Sequence, residues 1–358
     1  MLIVQMDLAD RQKLVLKEVV DRYIRHHEPV SSRMILEDYN ALVSSATIRN
    51  DMNDLEASNY IRKPYSSSGR VPTKKGYRFF VDWLLDLSEL TKKERLEIVE
   101  AYEVRCLEVL EAMHKTAFLL GNITGCVGFV IPPRWAETRL DHIILARIAP
   151  RLILFVIVSS IGVIKHGMIP VEKDLSRDQI KQIMAIINSN LRGMTLEEIG
   201  KLTLDKERDE WHEQLTRDAL FVLRHLIKQQ VRQELCLEGI LNITDDLQEV
   251  APDQAMEQFV QLIHALHDEE AFAKTIIQRR ANEGGVVISV GDCSLPGIAE
   301  YSTVTAGYGP HSGVLGVIGP LWMDYGKALS VTSYIANRLE ALLVASCAPI
   351  QGGNKDDD

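Results

Sequence analysis

The sequence predicts an α+β protein of more than one domain, with an N-terminal helical unit followed by a sheet domain that a helical subdomain interrupts. The chain has 358 residues, more than a typical single domain contains. Its first 85 residues show short helical periods and then a short basic hairpin. Beyond residue 125, strand-like apolar segments lie on both sides of a long helical stretch.

The net charge of −10 is unevenly distributed along the chain. Residues 1–85 contain 13 Lys or Arg and 11 Asp or Glu, whereas residues 86–358 contain 27 and 39. No acidic residue lies between Glu56 and Asp82, and six basic residues do. A local basic patch on an acidic protein indicates nucleic-acid binding, with a solvated face as an equal alternative from charge alone.

The five cysteines are widely spaced and form no Cys-x-x-Cys motif. This pattern favours reduced thiols in a cytoplasmic protein over a disulfide framework or a zinc site. The apolar run at the N-terminus is too short for a signal peptide, and no basic residues precede it. We therefore expect a cytoplasmic protein without a membrane span.

Three short helices are predicted at the start of the chain. The first runs over 9–26 and ends before Pro29, and Ser31 and Ser32 offer an N-cap for the second. Ser44 and Ser45 offer another N-cap, for a third helix over 46–58 with Ile48, Met52 and Leu55 on its buried face.

A basic hairpin follows the third helix. Asn59 stands where a left-handed residue should end the helix. A short strand over 60–63, a small-residue tip at 66–69 and a return at Arg70 precede a fourth helix that opens at Pro72 and Thr73. Three helices and then a hairpin is the order of a winged helix-turn-helix.

The rest of the chain is predicted to contain two groups of strands, separated by a long helical stretch. Helical periods cover 91–124, the stretch from 176 to about 280, and a last helix over 325–344. The predicted strands are 126–131, 140–148, 152–158, 162–169, 286–290, 301–306 and 313–318. We expect these strands to form one sheet domain with a helical insertion.

The third helix carries the side chains that suit base reading. Opposite its apolar stripe, Arg49 can bind guanine and Asn50 can bind adenine, each through two hydrogen bonds. The helix N-terminus adds a positive dipole for phosphate. The small tip at 66–69 would let the hairpin approach a groove, where Arg70, Lys74 and Lys75 could meet phosphates.

Several long motifs resemble the HrcA family of heat-inducible transcription repressors. They are EPVSSR at 28–33, SSATIRNDMNDLE at 44–56, SSGRVPTKKGYRFFVD at 67–82 and GYGPHSGVLGVIGPLWMDY at 307–325. The similarity is weakest over 172–280, and Ser31, Asn59 and Tyr65 depart from the residues usual in the family.

The resemblance implies a winged helix joined to a GAF-like domain with an inserted dimerising domain. It implies a homodimer that binds the inverted-repeat CIRCE operator in double-stranded DNA upstream of chaperone operons such as groESL and dnaK. It also implies that the GroEL chaperonin modulates repressor activity and that heat shock relieves repression.

The expected domains are 1–88 for the winged helix, 89–171 and 251–346 for the GAF-like domain, 172–250 for the insertion, and a disordered tail at 347–358. The expected DNA-contacting residues are Ser44, Ser45, Thr47, Arg49, Asn50, Asn53, Ser68, Gly69, Arg70, Thr73, Lys74, Lys75, Tyr77 and Arg78.

Other functions have weaker support in the sequence. His264 and His267 lack a further ligand set for a metal, and the glycines from Gly307 to Gly313 fit a β-turn better than a nucleotide loop. We expect no enzyme activity and no cofactor. A ligand-sensing regulator that uses the GAF-like domain and a protein-interaction module remain as alternatives.

Overall fold

A computed structural model describes residues 8–38, 44–64, 69–102, 109–133, 138–160, 164–171, 173–195, 197–199, 235–243, 252–283, 285–291, 297–309 and 313–346. Its described helices are α1 Asp10–His26, α2 Ser32–Asp38, α3 Ser45–Ala57, α4 Lys74–Trp83, α5 Lys92–Tyr102, α6 Val109–Thr124, α7 Arg177–Leu191, α8 Pro252–His267, α9 Glu269–Glu283 and α10 Tyr325–Ser346. The described strands are β1 Ile61–Arg62, β2 Val71–Pro72, β3 Val127–Ile131, β4 Leu140–Ala149, β5 Leu152–Ser159, β6 Ile164–Pro170, β7 Cys236–Glu238, β8 Val287–Val290, β9 Tyr301–Tyr308 and β10 Gly313–Pro320.

The N-terminal unit, residues 8–83, comprises α1 to α4 and the β1–β2 hairpin. Val15, Leu16 and Val19 on α1 pack with the apolar stripe of α3. The chain leaves α3 through Asn59, whose φ of 61° confirms the predicted left-handed residue. Val30 exchanges backbone hydrogen bonds with Arg70 and so attaches the α1–α2 connection to the hairpin.

The central sheet has five antiparallel strands in the order β7-β3-β10-β9-β8. One of its faces packs against α6 and α10, through residues such as Leu120 and Leu339. The opposite face carries Phe129, whose ring meets that of Phe272 edge-on at 5.2 Å between centroids. Side chains therefore fill both faces of this sheet in the described part of the chain.

A second sheet contains β4, β5 and β6, all antiparallel. Its core is separate from that of the central sheet and is completed by α7, through Ile180, Ile183 and Ile187. The expectation of one sheet is wrong here, because period-two patterning identifies a strand but does not choose its neighbours. The short strand β7 was also missed within the predicted helical stretch, since three residues show no clear period.

The other predicted elements are confirmed to within a few residues. The glycines from Gly307 to Gly313 lie at the end of β9, in the connection and at the start of β10, which are antiparallel neighbours, as the turn interpretation expects. No helix of the described residues is long and apolar enough to cross a membrane. Ser68, residues 200–234 of the predicted helical stretch and the tail at 347–358 lie outside the described residues.

Candidate nucleic-acid interface

The helix α3 is held so that its polar face is exposed. The Ser44 hydroxyl accepts a hydrogen bond from the Thr47 backbone amide at 3.1 Å and thereby caps the helix. Ile48, Met52 and Leu55 are buried at 2% exposure or less. The side chains on the other face, which are Ser45, Arg49, Asn50 and Asn53, are exposed.

An ion pair fixes α3 against α1. The Arg11 guanidinium donates two hydrogen bonds to the Asp51 carboxylate, with distances of 2.6 and 3.0 Å. Asp51 is only 3% exposed, and the pKa of Arg11 is raised by this hydrogen bond and by the charge of Asp51. Gln12 also donates to Asp54 at 3.2 Å, so two contacts set the rotation of α3 about its axis.

The hairpin lies close to the backbone of the α1–α2 connection at Gly69. A Cβ atom at this position would come within 2.6 Å of the carbonyl groups of Pro29 and Val30. Any side chain here would push the hairpin away, which gives Gly69 a packing role independent of DNA.

Arg70 and Asn53, both predicted to contact DNA, bond to each other. The Arg70 guanidinium donates to Asn53 Oδ1 at 2.6 Å and to Glu56 Oε2 at 3.1 Å. Arg70 is 8% exposed, so its side chain connects the hairpin to α3 and is not presented as an open cation. Lys63 lies 3.6 Å from the same Glu56 carboxylate.

The start of α4 holds the hairpin from the other side. Thr73 caps α4 by accepting from the Gly76 amide at 3.2 Å, and its hydroxyl lies 2.7 Å from the Asn59 carbonyl oxygen. Lys75 donates to the Ser58 carbonyl at 2.9 Å and places its ammonium 4.0 Å from the centre of the Tyr60 ring. These contacts give Thr73 and Lys75 structural partners.

Tyr77 and Lys74 on α4, both predicted to contact DNA, face the central sheet and its connections. Tyr77 is 2% exposed, and burial raises the pKa of Tyr77 well above its usual value. The side chain of Tyr77 therefore does not reach the surface, and its prediction as a DNA-contacting residue is wrong. The Lys74 ammonium pairs with Glu300 at 2.6 Å, whereas Arg78 is exposed.

The candidate residues therefore divide into an open set, whose side chains are available to a ligand, and an occupied set, whose side chains are buried or bonded within the protein. In the part of the chain that the structure describes, the side chains of Arg49 and Asn50 are exposed and have no hydrogen-bond partner. Ser44, Ser45 and Thr47 lie at the helix N-terminus beside them. The occupied set contains Asn53, Arg70, Thr73, Lys74, Lys75 and Tyr77.

Three residues that position the candidate interface are absent from the set predicted from the sequence. Arg11 and Asp51 orient α3, and Glu300 holds Lys74 from 226 positions away. A signal existed for Asp51, because it lies between Ile48 and Leu55 on the apolar face of the helix. No local pattern could have indicated Glu300.

The comparisons with known proteins cover nearly the whole chain. Residues 111–329 match the family described as HrcA protein C terminal domain. A protein from Pelotomaculum thermopropionicum, named heat-inducible transcription repressor HrcA, is 32% identical over 94% of this chain and 97% of its own length. Proteins of the same name from Syntrophobacter fumaroxidans and Desulforamulus reducens are 31% and 30% identical, each over 94% of this chain and 98% of its own length.

A solved structure has a similar fold. It is described as a hypothetical protein at 2.2 Å resolution and aligns with a TM-score of 0.64 and 23% identity. The alignment covers 95% of this chain and 99% of the solved one. The overall fold is thus shared over the aligned 95% of this chain.

Proposed function

The chain belongs to the HrcA family of heat-inducible transcription repressors, and we propose that it represses by binding the inverted-repeat CIRCE operator upstream of chaperone operons. The observation that carries this proposal is the exposed polar face of α3, beside the β1–β2 hairpin. A bound repressor dimer would block access of polymerase to the promoter, and heat shock would relieve the block.

The N-terminal unit acts, in this proposal, as a winged helix-turn-helix with α3 in the major groove. Arg49 and Asn50 read bases, because they are exposed and have the donors and acceptors that guanine and adenine require. Ser44, Ser45 and Thr47 bind phosphate near the helix N-terminus, where the dipole is positive.

The hairpin is proposed as the wing. Its exposed cation Arg62 suits phosphate contact, and Arg78 on α4 adds a second. Arg70, with Asn53, connects the wing to the recognition helix. Ser68, which lies outside the described residues, stays a proposed contact.

We propose that the second sheet forms the dimer interface. Ile144, Val156, Leu154 and Met168 share the sheet face opposite α7, as the cross-strand pairs 144–156 and 154–168 require. Ile144 is 46% exposed and Met168 is 54% exposed within the described part of the chain. An apolar sheet face of this kind marks an interaction site, and a two-fold dimer matches an inverted repeat.

This arrangement bears on the proposed domain boundaries. The core shared by α7 and the second sheet favours starting the dimerising insertion at β4 rather than at residue 172. The central sheet with its helices on both faces is proposed as the GAF-like domain, and the winged helix remains at 1–88.

We propose one mode of regulation that the family resemblance implies and keep one alternative. The GroEL chaperonin is proposed to keep the repressor active, so adding chaperonin should raise operator occupancy. A small-molecule effector is the alternative, and it would appear as an effector-dependent shift in affinity. Because side chains fill both described faces of the central sheet, the chaperonin proposal is favoured.

A repressor acts where the DNA is, so we propose a cytoplasmic location.

Binding selection from a randomised duplex pool tests the proposed function. The full-length chain should enrich an inverted repeat and retard it in gels at both low and physiological salt. The double variant R49A/N50A should lose this selectivity while it keeps weaker, salt-sensitive binding. If no sequence is enriched at either salt concentration, the repressor mechanism proposed here is wrong.

A further inference from the structure

The N-terminal unit and the central sheet share one continuous hydrophobic core. Tyr77 of α4 is buried, and its ring centroid lies 6.4 Å from that of Tyr325 at the start of α10. The Tyr325 hydroxyl is held in turn by Ser302 at 2.8 Å and donates to the Leu321 carbonyl at 2.6 Å. The recognition helix is therefore joined through α4 to a rigid part of the central sheet.

A partly exposed ion pair lies at the edge of the contact between the N-terminal unit and the central sheet. The Lys74 ammonium lies 2.6 Å from the Glu300 carboxylate, and the two side chains are 43% and 42% exposed. The aliphatic stem of Lys74 passes close to Gly291, where a Cβ atom would be 3.2 Å from the Lys74 Cδ. Gly291 has a φ of 63°, so its backbone conformation also favours glycine.

A second contact joins the same two units at the end of α1. The His27 ring meets the Trp322 ring edge-on, at 6.4 Å between centroids. Close by in the chain, a Cβ at Gly326 would come within 2.6 Å of the Asp86 carbonyl oxygen. Contacts on both α1 and α4 oppose rotation of the N-terminal unit about either helix.

We propose that this junction, comprising Lys74, Glu300, Tyr77 and Tyr325, sets the spacing of the two operator half-sites that the dimer accepts. In this proposal Lys74 and Glu300 are positioning residues that determine specificity without touching DNA. The inference rests on the proposed binding of an inverted repeat by a dimer.

The physical reason is the helical geometry of DNA. One added base pair moves a half-site by about 3.4 Å and rotates it by about 35° around the duplex axis. A recognition helix on a flexible linker follows such a change, whereas a helix docked through a shared core does not. A docked N-terminal unit therefore restricts the dimer to one spacing.

This role for Lys74 differs from the phosphate contact that the sequence suggested. A lysine that neutralises a phosphate contributes about 0.9 to the slope of log affinity against log salt. A lysine paired with Glu300 contributes nothing to that slope. The salt dependence of binding therefore separates the two roles.

The experiment measures the affinity of the full-length chain for a series of duplexes. The wild-type chain first selects its preferred inverted repeat from a random pool, and the spacer is then lengthened or shortened by one and two base pairs. Glu300→Lys places a cation beside Lys74 and should reduce the preference for the selected spacing about three- to fivefold. The swap Lys74→Glu with Glu300→Lys should restore that preference.

The spacing preference is a ratio of affinities, so it is insensitive to any uniform loss of DNA binding. Glu111→Lys is the matched control, because it reverses the charge of a residue paired with Lys115 within α6, away from the junction. The variants Lys74→Gln and Glu300→Gln repeat the test if a charge reversal prevents folding.

The outcomes separate this inference from the proposed function. Relaxed spacing in the single variants, recovery in the swap and an unchanged salt slope for Lys74→Gln support the junction. An unchanged spacing preference in every variant, or a slope reduced by about 0.9 for Lys74→Gln, overturns it. Failure of the wild-type chain to select any repeat overturns operator binding itself.

Discussion

The Arg11 guanidinium bonds both oxygens of the Asp51 carboxylate, and this pair fixes α3 to α1. Its two members differ in exposure, since the side chain of Arg11 is 52% exposed and that of Asp51 is 4% exposed. Loss of the arginine would leave a buried carboxylate without its counter-ion, whereas loss of the carboxylate would leave a cation that water can reach.

We therefore expect Arg11→Met to lower the melting temperature more than Asp51→Asn does. The asparagine keeps a hydrogen-bond acceptor next to Arg11, and it removes the buried charge. Thermal unfolding followed by circular dichroism measures both variants. An equal loss for the two would show that burial of the carboxylate does not govern the energetics of this contact.

Replacing Arg49 or Asn50 by alanine should weaken operator binding by about 1–3 kcal/mol and relax base preference at one position of each half-site. The expected cause is the loss of paired hydrogen bonds to a base edge. Titration against the selected duplex and its single-base variants measures this effect. Lys181→Ala on α7 serves as the control, because it removes an exposed side chain outside the N-terminal unit. A loss equal for all sequences would indicate phosphate contact instead.

Arg70→Ala should destabilise the protein by about 1–3 kcal/mol, because Asn53 and Glu56 lose a shared charged donor. The hairpin would also lose its side-chain attachment to α3. Urea unfolding measures the change, with Asn53→Ala as a control that removes a single hydrogen bond. Full stability together with lower DNA affinity would assign Arg70 to DNA contact after all.

A lysine at Met168 or Ile144 should raise the dimer dissociation constant more than about tenfold, because burying an unpaired charge costs more than 1.4 kcal/mol. Light scattering coupled to size exclusion, over a range of concentrations, measures this constant. Leu96→Lys on α5 is the matched control, since Leu96 is 57% exposed outside the second sheet. Dimers unaffected by the changes in the second sheet would place the interface elsewhere.

Stability should fall as the pH rises from about 10 to 12, in part through Tyr102. Burial raises the pKa of Tyr102 from 10.0 to about 12, and the Thr116 hydroxyl lies 2.5 Å away. The folded state holds this proton more tightly than the unfolded state does, so the contribution is complete below pH 10 and is lost toward pH 12. Tyr102→Phe should therefore unfold with a smaller pH dependence in that interval, measured by urea titrations at several pH values.

The elements of the N-terminal unit could be predicted from the sequence. Its caps, its apolar stripes and the left-handed Asn59 depend on neighbours within about four residues, so their pattern is visible in the chain. The exposed set on α3, including Arg49 and Asn50, followed from the same helical period. Long motifs then identified the family.

Only the folded protein shows which candidate side chains are exposed without a partner and which are bonded to other residues. Arg70 meets Asn53, Lys74 meets Glu300, and Tyr77 is buried at the junction, although all were plausible DNA contacts in the sequence. Strand patterns likewise did not show that β4 to β6 form a sheet of their own. The physical reason is that side-chain pairing and strand pairing between distant segments depend on how those segments pack, which local periodicity does not encode.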